Sequence, residues 1–132
     1  MTEHIIWFES LGMQDVHRVG GKNASLGEMI SNLSEAGVSV PGGFATTADA
    51  YWEYLDATGL RSRIDAELRT LDSDDVEALA ETGARLRRMI IDTPFPAALE
   101  QAIGDAYEAL EAQSGGGASY AVRSSATAED LP

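Results

Sequence analysis

The apolar positions of this chain fall into a few short runs and several helix-spaced stripes. His4 to Phe8 carries Ile5, Ile6 and Trp7 in succession and predicts a short strand. Positions 10–21 mix polar residues with glycine and read as loop. From Lys22 to Ala36, Leu26, Met29, Ile30 and Leu33 recur at i, i+3, i+4 and i+7, the stripe of an amphipathic helix. Ser25 and Glu28 match a capping box that would start this helix slightly later, and Gly37 suits its C-terminal stop. A turn rich in proline and glycine, Val38 to Phe44, leads into a short strand at Phe44 to Thr46.

Helices then dominate. Thr47 is placed to cap one holding Tyr51, Trp52 and Leu55 and ending at Gly59, and a second covers Leu60 to Leu71. Asp72, Asp74 and Asp75 offer caps for a third, with Val76, Leu79, Ala80, Gly83, Leu86 and Ile90 on one face. The prolines of Thr93-Pro-Phe-Pro96 break it, and Pro96 suits the first turn of a fourth helix with Leu99, Ile103, Tyr107 and Leu110 inward. Ser114 to Gly117 is a flexible turn, and Ala118 to Val122 reads as a last strand. The order strand, helix, strand, several helices, strand is that of an α/β or α+β domain rich in helix with a small sheet.

Composition narrows the chemistry. The 132 residues suffice for one domain with a core, and 44% hydrophobic with 23% charged residues is ordinary for a soluble protein. With no cysteine there is no disulfide scaffold, thiolate metal site or cysteine nucleophile. No apolar run reaches membrane-spanning length and no signal peptide is evident, so no membrane partner is expected and the default compartment is cytoplasmic. A formal net charge of −13 argues against a nucleic-acid partner, which calls for a basic face. Against that field Lys22, the sole lysine, and Arg123 stand apart beside small residues, while six arginines between Arg61 and Arg88 lie among acids on helix surfaces. One cation about 4 Å from a phosphate contributes roughly 4 kcal/mol at an effective dielectric near 20, so two such cations can decide the matter locally.

These two cations sit in the most informative segments. In Val19-Gly-Gly-Lys-Asn-Ala-Ser-Leu-Gly-Glu-Met29, a glycine pair opens into a helix whose first N–H groups favour anions. Lys22 at that end is misplaced for a helix alone by roughly 0.3–1 kcal/mol, a misfit that a bound anion removes. An ordinary solvated lysine after a glycine loop remains the alternative. The segment is neither a Walker A loop, because Asn23 follows the lysine, nor a dinucleotide-fold glycine pattern. In Tyr120-Ala-Val-Arg-Ser-Ser-Ala-Thr-Ala-Glu-Asp-Leu-Pro132, an apolar run meets Arg123, Ser124 and Ser125, a guanidinium with added hydroxyl donors suited to phosphate. A structural ion pair of Arg123 with Glu129 or Asp130 is the alternative there. His4 and His17 lack a metal-ligand pattern, and the acids from Asp72 to Glu77 lack the glycine and terminal glutamate of a calcium loop.

Both end segments, together with Gly37-Val-Ser-Val-Pro-Gly-Gly-Phe-Ala-Thr-Thr-Ala48 and Ile90-Ile-Asp-Thr-Pro-Phe95, closely resemble the phosphoenolpyruvate synthase family, the pyruvate, water dikinases, in order and spacing across the whole chain. Pyruvate, phosphate dikinases and rifampicin phosphotransferases share the glycine-lysine and valine-arginine-serine segments. The resemblance implies an enzyme that makes phosphoenolpyruvate, AMP and phosphate from ATP, pyruvate and water with Mg2+. Residues 1–132 would be the N-terminal lobe of an ATP-grasp-type nucleotide-binding domain, cut after Pro132. Its partners would be the second lobe, a phosphohistidine domain and a pyruvate-binding barrel. On the family pattern Lys22 and Arg123 contact the ATP phosphates, with Gly21, Ser124 and Ser125 beside them. Metal ligands and the catalytic histidine are expected outside this chain.

Overall fold

The computed structural model describes residues 3–128. Its elements are β1 (Ile5–Trp7), α1 (Val16–Val19), α2 (Gly21–Glu35), β2 (Phe44–Thr46), α3 (Ala48–Ala57), α4 (Leu60–Arg69), α5 (Val76–Asp92) and α6 (Ala97–Gln113), with 3-10 turns at Phe8–Ser10 and Met13–Asp15. The fold is thus α+β, helix-rich with a two-stranded sheet. Among the described residues no helix is long and apolar enough to cross a membrane. The chain divides into two compact units, one of residues 1–51 with 98–132 and one of residues 52–97.

In the first unit β1 and β2 pair antiparallel with Ile6 opposite Ala45 and Trp7 opposite Phe44. The facing Trp7 and Phe44 rings meet edge-on with centroids 5.5 Å apart, the kind of cross-strand pair that holds a short ladder. The core gathers Ile6, Leu11, Val19, Ala24 and Ala45, with Phe8 and Val16 packed against it. Thr47 behaves as its position predicts: its hydroxyl accepts the Ala50 N–H at 3.0 Å and caps α3.

Several expectations fail for identifiable reasons. The region of 10–21 is not plain loop but holds the Met13–Asp15 3-10 turn and α1, the turn tied by Asp15, whose carboxylate accepts the Gly12 N–H at 3.0 Å. The Ser25–Glu28 capping box does not form, because α2 already begins at Gly21. The Glu28 carboxylate instead accepts the Met13 N–H at 3.0 Å, an anion at the start of the neighbouring 3-10 turn. The buried face of α2 is Ala24 and Gly27, while Met29 and Leu33 are 42% and 37% exposed. Small residues win this face because Leu11 lies so close that a Cβ on Gly27 would come within 2.5 Å of its carbonyl oxygen. Ala118–Val122 forms no strand among the described residues, and Val122 is 97% exposed. A strand exists only through a hydrogen-bonded neighbour, and the described sheet consists of β1 and β2 alone.

The second unit is helical. Tyr54, 3% exposed, places its hydroxyl 3.0 Å from the Ile90 carbonyl and 2.9 Å from that of Thr93, and its ring meets Phe95 edge-on. Asp75 caps α5 by accepting the Ala78 N–H at 3.1 Å. The expected inward face of α5 is only partly realised: Val76 and Leu79 are exposed, Leu86 and Ile90 half-buried, and Thr82 is buried. Of the aromatics at the start of this stretch only Tyr54 is a core residue. Trp52 is half exposed, with the Arg61 guanidinium 4.4 Å above its ring.

Candidate functional site

The start of α2 is built around Gly20, which ends α1 and caps α2 at once. Its N–H donates to the Val16 carbonyl at 2.8 Å and its carbonyl accepts the Ala24 N–H at 3.1 Å. The sharp change of direction between the two helices needs φ +86°, a left-handed value that favours glycine. Asn23 reinforces the corner, its side-chain amide donating to the Val19 carbonyl at 2.8 Å. The asparagine that rules out a Walker A loop is therefore a brace for the α1–α2 corner. The sequence already singled out the Gly20-Gly21 pair for close approach and positive φ, which Gly20 adopts, but gave Asn23 no role beyond excluding a Walker A loop. For Asn23 the available signal was an amide side chain in the first turn of a helix, able to reach back four residues to Val19.

The segment 124–126 lies along this corner. Gly21 donates its N–H to the Ala126 carbonyl at 3.2 Å, and the Lys22 ammonium donates to the Ser124 carbonyl at 3.3 Å. A Cβ on Gly20 would overlap the Ser125 hydroxyl oxygen and stand 2.8 Å from the Ala126 amide nitrogen. The Ser125 hydroxyl is buried there and has no hydrogen-bond partner among the described residues. The glycine opening thus admits the chain's own distant segment, and residues 102 positions apart meet.

Lys22, Arg123 and Ser124 are exposed, while Gly21 and Ser125 are half-buried. Two cationic side chains therefore stand at the surface from segments that touch, at the end of a 15-residue helix with no acid in its first turn. Such a grouping can neutralise and align an anion with several charged oxygens. The ion pair of Arg123 with Glu129 or Asp130 concerns two acids outside the described residues. Asp15 lies one turn behind the corner, 6% exposed. The Arg18 guanidinium at 2.8 Å, then the Gly12 N–H, holds its carboxyl below the usual aspartate value. Arg18 also pairs with Glu3 at 3.0 Å. This cluster is internally matched and keeps the turn before α1 in place. Among the described residues no group of three or more histidine, aspartate or glutamate side chains is arranged to hold a metal ion.

Residues 16–132 match the family model described as pyruvate phosphate dikinase, AMP/ATP-binding domain. Phosphoenolpyruvate synthase of Escherichia coli (strain K12) is 60% identical over 97% of this chain and 16% of its own length. That of Pseudomonas aeruginosa (strain UCBPP-PA14) is 58% identical over 100% of this chain and 17% of its own. A more distant relative, phosphoenolpyruvate synthase of Aquifex aeolicus (strain VF5), is 46% identical over 97% of the chain. The chain spans about a sixth of the length of the curated relatives it matches.

Proposed function

This chain belongs to the pyruvate phosphate dikinase AMP/ATP-binding domain family, and from that premise we propose that it supplies the phosphate-binding part of the ATP site in a phosphoenolpyruvate synthase. In this reading residues 1–132 form the N-terminal lobe of an ATP-grasp-type domain in a cytoplasmic enzyme. That enzyme converts ATP, pyruvate and water to phosphoenolpyruvate, AMP and phosphate. The observation that carries the proposal is the clasp of 20–22 against 124–126, which joins the lysine and arginine segments. Lys22 and Arg123 neutralise and align the phosphates, with Ser124 as an exposed donor and Gly21 and Ser125 in the same site. Positioning and charge neutralisation are the main demands of phosphoryl transfer, and in a chain of net charge −13 they must come from local cations. The reaction in this reading also uses Mg2+. Its ligands, the second lobe, the phosphohistidine domain and the pyruvate-binding barrel are assigned to other parts of the enzyme.

The test is turnover by the full-length protein with ATP and pyruvate, following AMP and phosphoenolpyruvate together. Equal amounts of both, abolished when pyruvate is omitted, support the proposal. AMP formation that depends on rifampicin instead of pyruvate would assign the site to the related antibiotic phosphotransferases, and no nucleotide turnover at all would remove the enzymatic reading.

A further inference from the structure

Three consecutive residues at the α1–α2 corner each engage the segment that follows Arg123. Lys22 binds the Ser124 carbonyl and Gly21 the Ala126 carbonyl. Gly20 offers no bond to Ser125 and Ala126 but an absence: the space of its missing side chain is filled by the Ser125 hydroxyl oxygen and the Ala126 backbone. That hydroxyl is buried without a hydrogen-bond partner among the described residues. Polar groups are seldom buried unpaired, because desolvation is then uncompensated. The local sequence around Ser125 gives no reason to hide it, so its position is imposed by the fit of the segment against Gly20.

We propose that Gly20 is a positioning residue for the ATP phosphates, seating Ser125 so that the backbone carrying Arg123 lies at a fixed distance from Lys22. This rests on the phosphate reading of Lys22 and Arg123 given above. Arg123 is separated by one peptide bond from Ser124, whose carbonyl takes the Lys22 ammonium. A methyl group on Gly20 forces the segment outward by about the depth of the overlap, on the order of 1 Å. Displacements of that size in the groups that align a substrate can cost up to ~100-fold in rate. Two hydrogen bonds across the clasp cannot absorb the shift, since both already stand at 3.2 and 3.3 Å, near the long end for N–H···O bonds.

The test uses the full-length protein with Gly20→Ala, Ser125→Ala and the double variant. Two readouts are taken: ATP affinity by calorimetry, and amide hydrogen exchange by mass spectrometry over peptides covering 19–29 and 120–126. Gly20→Ala is expected to weaken ATP binding by about 10-fold or more, the scale of one lost charged hydrogen bond, and to speed exchange in 120–126 while peptides over β1 and β2 keep wild-type protection. Ser125→Ala in the Gly20→Ala background is expected to recover part of both effects, because it removes the overlapping oxygen and leaves the Ala126 contact and the strain of alanine at φ +86°; the recovered part is the measure of the Gly20–Ser125 fit. Wild-type affinity and exchange in Gly20→Ala, or a loss that Ser125→Ala does not reduce, would overturn the proposal. Should Gly20→Ala not fold, Ser125→Leu presses on the same contact from the opposite side and must produce the same paired effects. If the wild-type protein binds no ATP, the phosphate reading fails, and the exchange data alone still decide whether Gly20 seats Ser125.

Discussion

Replacing glycine by alanine in the middle of a helix should have opposite signs at two places in this fold. Both Gly27 in α2 and Gly104 in α6 are interior helical positions of the first unit. In an unobstructed helix the change gains about 1 kcal/mol, because alanine loses less backbone entropy on folding. At Gly104 a Cβ would meet nothing within 4 Å, so that gain should appear. At Gly27 the Cβ would stand 2.5 Å from both Cβ and carbonyl oxygen of Leu11 and 2.7 Å from its carbonyl carbon. Carbon contacts prefer about 3.5–4.0 Å, so the loop must retreat by on the order of 1 Å. It is pinned on either side by Phe8 N–H to the Gly43 carbonyl, and by Met13 N–H to Glu28. Overpacking against backbone costs roughly 1–3 kcal/mol or more, which outweighs the helical gain. The helical gain is common to both variants, so Gly27→Ala should be less stable than Gly104→Ala by the overpacking cost itself, about 1–3 kcal/mol, or roughly 3–12 °C in Tm for a chain of this size. Thermal and urea unfolding of the 132-residue chain, followed by circular dichroism, measure the difference. Equal rises in Tm for both variants would refute the close approach of Leu11 to α2.

Two further outcomes follow from buried polar groups. Tyr54→Phe removes the hydroxyl that serves the Ile90 and Thr93 carbonyls and should cost about 1–2 kcal/mol in urea unfolding; wild-type stability would count against those bonds. Asp15 has its folded pKa depressed below the ordinary 3.8, first by the Arg18 hydrogen bond. Its contribution is thus fully present above that value and is lost as pH falls through the folded pKa. Asp15→Asn should be less stable than wild type at neutral pH, with the gap narrowing below about pH 4; a gap that stays constant with pH would count against the Arg18 pairing.

What the sequence made legible here was whatever acts over three or four residues. Thr47 and Asp75 cap the helices they precede because a short side chain needs only its neighbours to do so. The apolar strand triplets and the proline break after α5 are equally local. The periodic stripe of α2 misled, because the hydrophobic spacing of Leu26, Met29, Ile30 and Leu33 carries no information about how closely a loop approaches the helix. Ala24 and Gly27 won that face on size alone. The capping box misled for a related reason: Glu28 found an N–H fifteen residues away. Ala118–Val122 has the composition of a strand, but pairing depends on a neighbour that composition does not specify. In the candidate site, Lys22 and Arg123 were legible as isolated cations in an acidic chain. The clasp that joins their segments was not, since it rests on a glycine void and two backbone carbonyls that no motif encodes.

The central claim is that these two cations serve one phosphate group of sites, and affinity for ATP against adenosine tests it most directly. In the full-length protein, Lys22→Ala and Arg123→Ala should each weaken ATP binding by about 10–100-fold, the scale of a lost charged hydrogen bond. Adenosine, which lacks the phosphates, should bind both variants as it binds wild type. Unchanged ATP affinity in either variant, or an equal loss for adenosine, would contradict the account.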